Sequence, residues 1–244
     1  MGVQDQVTYA RVGLLTARGY PLLGYVVDRV SAIGGVDVCV IVDSKDVTDR
    51  DHRLFAERTD GGLAARPFVA GAYPSTMVSD HNGPDTLDFV RETHIDLLLN
   101  VCTPRIIGSD LLHAPPFGIV NVHPGILPKY RGASCCEWAI YNDDPVGVTA
   151  HFMDEGLDSG PIIFTRQLAV TAGQTYPQVR VSLYRLWVDA CGDAVADVLN
   201  RRLTPKALPP QPDAPVFKPI SDALMTQVKA KLTRGAYCPV RSGH

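Results

Sequence analysis

The sequence predicts an α/β fold, a doubly wound and mostly parallel sheet followed by a short C-terminal extension. Three observations carry this expectation. Apolar runs without polar alternation, such as Val36 to Val42 and Phe117 to Val122, recur along the chain, and strands of that kind sit between two helical layers. Segments with helical spacing separate them, as an open parallel sheet requires. The 244 residues are 45% apolar and 20% charged, which suffices for one sizeable core and a modest appendage.

The elements follow in order. Ala10 to Ala17 is an apolar run that leads into the turn Thr16-Ala17-Arg18-Gly19-Tyr20-Pro21, and Pro21 to Ile33 repeats apolar residues at helical spacing. Val36 to Val42 is the next strand, and the charged stretch Lys45 to Asp60 reads as a surface helix. Asn82-Gly83-Pro84-Asp85 supplies a turn and cap for a helix over Thr86 to His94, which leads into a strand over Ile95 to Asn100. Phe117 to Val122 is a further strand and Ser134 to Tyr141 a helix. Val146 to Phe152 carries polar residues at alternate positions, so one face of that strand is expected to meet something polar. Pro161 to Val170 is another strand. Pro177 to Asn200 is the longest helical pattern, with Val181, Tyr184, Leu186, Val188, Val195 and Leu199 as core candidates; Trp138 and Trp187 also fall in helical patterns and are expected in the core.

After Arg201 the composition changes. Six prolines between Pro205 and Pro219 argue against a regular sheet until Ser221, beyond which Asp222 to Leu232 can form one short helix. The expected division is a main domain over residues 1–200 and a Pro-rich extension over 201–244 that packs on it. No internal repeat is visible.

Composition excludes several classes. The 23 basic and 26 acidic residues give a net charge of −3, which provides no global field for a nucleic-acid backbone. The basic residues Lys229, Lys231, Arg234 and Arg241 are expected to form a solvated face and tail. Residues 1–6 lack the layout of a signal peptide, and no apolar run approaches the roughly 18 residues of a membrane span, so a cytoplasmic location without a membrane partner is expected. The six cysteines form no CxxC pair and no metal-ligand rhythm, so reduced thiols and no metal site are expected.

Two segments carry chemistry. Asn121-Val122-His123-Pro124-Gly125-Ile126-Leu127-Pro128-Lys129-Tyr130-Arg131-Gly132 leaves a buried strand and breaks into a Pro/Gly loop. The carboxyl end of a strand is where open α/β sheets bind ligands. Asn121 and His123 are two apart, so in an extended chain an amide donor and an imidazole lie on the same side. The second segment, Gly147-Val148-Thr149-Ala150-His151, again sets two polar residues two apart and continues into the acidic, glycine-containing loop Asp154 to Gly160, whose backbone can approach a ligand closely.

Together, NVHPGILPKYRG and GVTAHFMDEGLDSGP resemble the catalytic core of the folate-dependent formyltransferases, which include the glycinamide ribonucleotide, methionyl-tRNA and sugar N-formyltransferases. The resemblance spans about residues 90 to 170 and implies a Rossmann-like core. It also implies N10-formyltetrahydrofolate as formyl donor and a tetrahedral oxyanion formed when an amine attacks the formyl carbon. Asn121 would donate to that oxyanion, His123 would add a hydrogen bond or move a proton, and Asp158 would orient His123 or a water. The donor's pterin would lie against backbone groups of Arg105, Ile106 and Ile107 and of Met153, Asp154, Glu155, Gly156 and Leu157, while Thr149 and His151 would support Asp158.

The chain also departs from these relatives. The turn after the first strand lacks the Gly-Ser-Asn phosphate cradle of the glycinamide ribonucleotide enzymes, and the 44 residues after position 200 carry no basic domain of the kind the methionyl-tRNA enzymes add. The expected acceptor is therefore a small-molecule amine, foremost a nucleotide-linked amino sugar, with Tyr20, Lys129, Tyr130 and Arg131 as candidate contacts. Another small amine or N-hydroxy amine, hydrolysis of 10-formyltetrahydrofolate, and an inactive regulatory module stand as alternatives. A homodimer is left open.

Overall fold

The first apolar run becomes strand β1 (Ala10–Arg18), with Val12, Leu14 and Leu15 wholly buried, in a computed structural model that describes residues 9–69 and 71–239. Residues 1–6 and Arg241, considered above, lie outside the described residues. Helix α1 (Leu23–Ser31) buries Leu23, Val26, Val27 and Val30, one helical stripe. Strand β2 (Val36–Asp46) runs four residues past the expected end and pairs in parallel with β1. Helix α2 (Asp49–Thr59) starts later than the charge pattern suggests, at a capping box in which Thr48 accepts from the Asp51 N–H and Asp51 accepts from the Thr48 N–H.

Strand β3 (Ser75–Val78) was not foreseen, because four residues carry no usable periodicity. Helix α3 (Pro84–Glu92) leads to β4 (Leu97–Val101), the one-turn helix α4 (Ser109–Leu112) and β5 (Ile119–His123). After these come the two-residue strand β6 (Arg131–Gly132), α5 (Cys135–Tyr141), β7 (Gly147–Phe152), β8 (Ile162–Gln167) and the long α6 (Tyr176–Arg201). Beyond α6 lie a 3₁₀ turn at Pro205–Ala207, the short strand β9 (Val216–Phe217), which pairs in parallel with β6, and α7 (Asp222–Thr233).

The main sheet has seven strands in the order β3-β2-β1-β4-β5-β7-β8. Strands β1 to β5 are parallel, and the β7–β8 edge is antiparallel. Strand order reverses between β1 and β4, so a crevice opens outside their carboxyl ends. Helix α6 packs on α1, α2, β5 and β7. Val179, Leu183, Trp187, Ala190, Cys191, Ala194, Val195 and Val198 face inward, whereas Tyr184, Leu186 and Val188, read as core, are only half-buried. Small Ala and Cys side chains at the contact let the helix lie close to the sheet. Trp187 is buried and donates its indole N–H to the carbonyl of Val122 (2.6 Å), while Trp138 is half-buried and donates to Lys218 in the extension (2.8 Å). Strand β7 is buried along its whole length, so the polar alternation does not mark a solvated face. Its Thr149 and His151 face polar groups inside the molecule.

Among the described residues, no helix is long and apolar enough to cross a membrane, and no cluster of His, Cys, Asp and Glu could hold a metal ion.

Candidate active site

Asn121 and His123 lie at the carboxyl end of β5, and Asp158 reaches His123 from the loop between β7 and β8. Asp158 Oδ1 lies 3.3 Å from His123 Nδ1 and 3.8 Å from His151 Nε2, and Oδ2 accepts the backbone N–H of Gly132 at 2.8 Å. The other ring nitrogen of His123 donates to the carbonyl of Tyr130 at 2.8 Å. That contact depends on Gly125, where a Cβ would stand 2.7 Å from His123 Nε2 and 2.7 Å from the Cys135 Cβ. The loop therefore crosses the imidazole only as glycine.

The amide of Asn121 is oriented from both ends. Its Oδ1 accepts from Asn100 Nδ2 (3.0 Å), a neighbour across the β4–β5 pair, and its Nδ2 lies 3.1 Å from His151 Nε2. His151 Nδ1 donates to the carbonyl of Phe152 (2.7 Å), so its Nε2 accepts from Asn121. Burial, aided by the nearby charge of His123, pushes the His151 pKa down to about 4, which keeps the ring neutral and this bond intact. The second amide hydrogen of Asn121 remains for a ligand. Burial opposes ionisation of Asp158, but His123, the Gly132 N–H and His151 outweigh it and hold the carboxyl below its ordinary value.

Thr149 does not touch Asp158. It donates to the carbonyl of Gly125 (2.8 Å) and accepts from the Leu127 N–H (3.1 Å), so it fixes the loop under His123 instead. The side chain of Arg105 turns away from the crevice to pair with the buried Asp43 and with Asp80, and donates to the Ser79 carbonyl (2.6 Å). Asn82, read as a turn residue, staples the same loop by donating to the Ile106 carbonyl (2.9 Å) and accepting from the Gly108 N–H (2.7 Å). Ile107 is buried and Met153 packs on the same apolar cluster, while Ile106 and Leu157 stand exposed. Asp154 ties its own loop through the Gly156 N–H (3.1 Å) and Ser159 Oγ (2.7 Å); Glu155 and Gly156 are exposed.

A cavity of about 440 Å³ fills the crevice beyond β1 and β4, bounded by Tyr20, Arg58, Pro124, Arg180 and Tyr184. A smaller one of about 210 Å³ shares Tyr20, Pro124 and Tyr184 with it and reaches Asn100 and Asn121. Arg58 and Arg180, which sequence reading missed, converge on the buried Glu137 at 3.9 and 3.4 Å, and Tyr176 donates to the same carboxylate at 2.6 Å. Tyr20 lines both cavities. Tyr130 and Arg131 do not: Tyr130 is buried with its hydroxyl on Asp144, and Arg131 is buried beneath the extension, donating to the Pro212 carbonyl (2.9 Å). Lys129 pairs with Asp144 at 2.6 Å. The extension covers this loop, a tertiary fact that no local pattern encodes.

An oriented amide donor beside a carboxylate–imidazole pair at the end of a strand can serve group transfer through an oxyanion, one group meeting negative charge and the pair passing a proton. The pattern that defines the formyl transferase family matches residues 28–186, and the chain belongs to that family. A methionyl-tRNA formyltransferase of Ruminiclostridium cellulolyticum is 34% identical over 132 residues, covering 54% of this chain and 41% of that protein. One from Caldanaerobacter subterraneus is 29% identical over 173 residues, covering 70% and 55% respectively. The chain thus spans about half or less of the length of these curated relatives. Among solved structures, a 4-N formyltransferase from Francisella tularensis shares the fold with a TM-score of 0.59 and 17% identity over 95% of this chain and 89% of that one. A phosphoribosylglycinamide formyltransferase from Anaplasma phagocytophilum does so with a TM-score of 0.58 and 21% identity over 79% and 87%.

Proposed function

We propose that this protein transfers the formyl group of N10-formyltetrahydrofolate to the amino group of a nucleotide-linked amino sugar. The observation that carries the reading is the amide of Asn121, which lines the smaller cavity and shares His151 as a neighbour with Asp158, itself paired with His123. In the reaction the amine nitrogen bonds to the formyl carbon and the carbon–N10 bond breaks. Asn121 donates to the oxygen that gains charge, and His123 and Asp158 carry the amine's proton toward the departing nitrogen. The exposed Ile106 and the neighbouring loop at Leu157 offer apolar surface of the kind a flat heteroaromatic ring packs against.

Support for the acceptor class comes from the crevice walls. Arg58 and Arg180, which share the carboxylate of Glu137, line a cavity of about 440 Å³ together with Lys45, Asp46 and Asp51, and Tyr20 offers a ring for stacking there. A phosphorylated sugar suits that lining. The curated relatives are named for methionyl-tRNA, but a chain with 23 basic and 26 acidic residues provides no field for an RNA backbone. Formyl transfer should be assayed with glycinamide ribonucleotide, charged initiator tRNA, N-hydroxyornithine and several nucleotide-linked amino sugars. The amino sugars are expected to lead in kcat/KM. Preference for either of the first two by more than about tenfold, or about 1.4 kcal/mol of transition-state binding, overturns the acceptor reading. Equal turnover with no amine added identifies a hydrolase.

A further inference from the structure

Two separate holds on Asp158 lead to one segment of the extension. Gln211 donates through Nε2 to the carbonyls of Asp158 (3.3 Å) and Gly160 (2.5 Å). Asp158 has a φ of 50°, in the left-handed region that a residue with a side chain adopts at a cost, so its backbone needs outside contacts to stay there. The second hold is the Gly132 N–H on Asp158 Oδ2. Gly132 is itself placed by β9: the next residue, Ala133, donates to the Phe217 carbonyl (2.9 Å), and the preceding one, Arg131, donates to the Pro212 carbonyl.

We infer that residues 211–217 form a strap that sets the catalytic carboxylate against His123, and that Gln211 is its positioning residue. Gln211 acts through Asp158 and touches no reacting atom. The two hydrogens of its amide meet two carbonyls, so its donor capacity is fully used in fixing the turn from Asp158 to Gly160. The geometry leaves little slack. Asp158 Oδ1 and His123 Nδ1 are already 3.3 Å apart, and a small rotation of the Asp158 backbone carries them beyond hydrogen-bond reach.

The inference rests on the proposed role of Asp158. The groups that face this carboxylate are His123 from β5, His151 from β7, the Gly132 N–H from β6 and the Cys135 thiol from α5. With the strap loosened, the carboxylate moves off the His123 ring and the Gly132 N–H that hold its pKa down, and it protonates at higher pH.

The test is Gln211→Met in the full chain, assayed with 10-formyltetrahydrofolate and the best amine of the panel. The expected result is a kcat lowered at least about tenfold with both KM values within about twofold, the acid limb of the kcat profile moved to higher pH, and an unchanged thermal midpoint. Hydrogen exchange at the Gly132 amide should rise, a readout that needs no turnover. Gln211→Lys, which restores a donor, should recover much of the rate. An unaltered kcat overturns the strap, and so does a loss that merely tracks a fall in thermal stability with the acid limb unmoved. If Gln211→Met does not fold, Gln211→Asn, too short to reach both carbonyls, is judged by the same criteria. Asp158→Asn in parallel separates the two claims: full activity there removes the proposed site, whereas an inactive Asp158→Asn beside a normal Gln211→Met removes the strap alone.

Discussion

His151 can accept the amide hydrogen of Asn121 only while its ring is neutral, and its folded pKa of about 4 against an ordinary 6.5 has a consequence for stability. Between those values the unfolded chain takes up a proton that the folded chain refuses, so the unfolding free energy rises with pH across that window. The contribution is complete above about pH 6.5 and lost as pH falls toward 4, and it amounts to as much as about 3 kcal/mol. Urea unfolding at pH 7 and pH 4.5 should show a smaller pH loss for His151→Gln than for the wild type. Equal losses would refute the burial account. At this scale the sequence was informative where residues that come together share contiguous motifs: Asn121, His123 and Asp158 stand within 40 residues of one another, in two recognisable segments. It was silent wherever a partner comes from afar. Gln211, Arg58 and Arg180 have no local mark, and Arg131 reads as an acceptor contact because the segment that buries it lies about 80 residues downstream.

The parallel strands β1, β2, β4 and β5 were legible because an element covered on both faces must be apolar throughout. Strand β7 meets polar groups, as its alternation implies, but inside the molecule. Alternation ordinarily separates core from solvent, yet here the polar positions Thr149 and His151 bond to the loop after β5 and to Asn121. The register of α6 was half-missed because its sheet-facing stripe is built of Ala and Cys as well as large residues. The β6–β9 pair was invisible, since two residues make no pattern, and it contains a position that can be tested. Gly132 has a φ of 93°, and a Cβ there would lie 2.4 Å from the Phe217 carbonyl oxygen. Gly132→Ala should therefore cost about 1–3 kcal/mol in unfolding free energy. Formyl transfer should fall further than that loss explains, because the Gly132 N–H supports Asp158. Gly34, with no neighbour within 4 Å, supplies the control: Gly34→Ala should be neutral or slightly stabilising. Similar stability in the two variants would show that the pair bears no strain-sensitive load.

For the whole molecule, the central expectation is that the donor binds the folded chain and not the unfolded one. A reduced-folate analogue at about 100 times its dissociation constant should then add about 2.7 kcal/mol to stability, seen in calorimetry as a rise in thermal midpoint. No rise at saturating analogue would remove the folate donor from the reading. The overall architecture was open to sequence analysis because it follows from the alternation of runs and helical patterns, whereas the shape of the crevice depends on which helices the strand order brings to the β1–β4 gap. That gap is walled by the turn after β1 and by α2 and α6, while Asn121, His123 and Asp158 belong to β5 and the loop after β7. The two sets of residues are separately mutable. A lineage could exchange Tyr20, Arg58 or Tyr184 and alter what enters, while Asn121, His123 and Asp158, the groups proposed to act on the bond, stay as they are. On the proposed function, this division among the elements leaves acceptor choice more open to drift than bond-making.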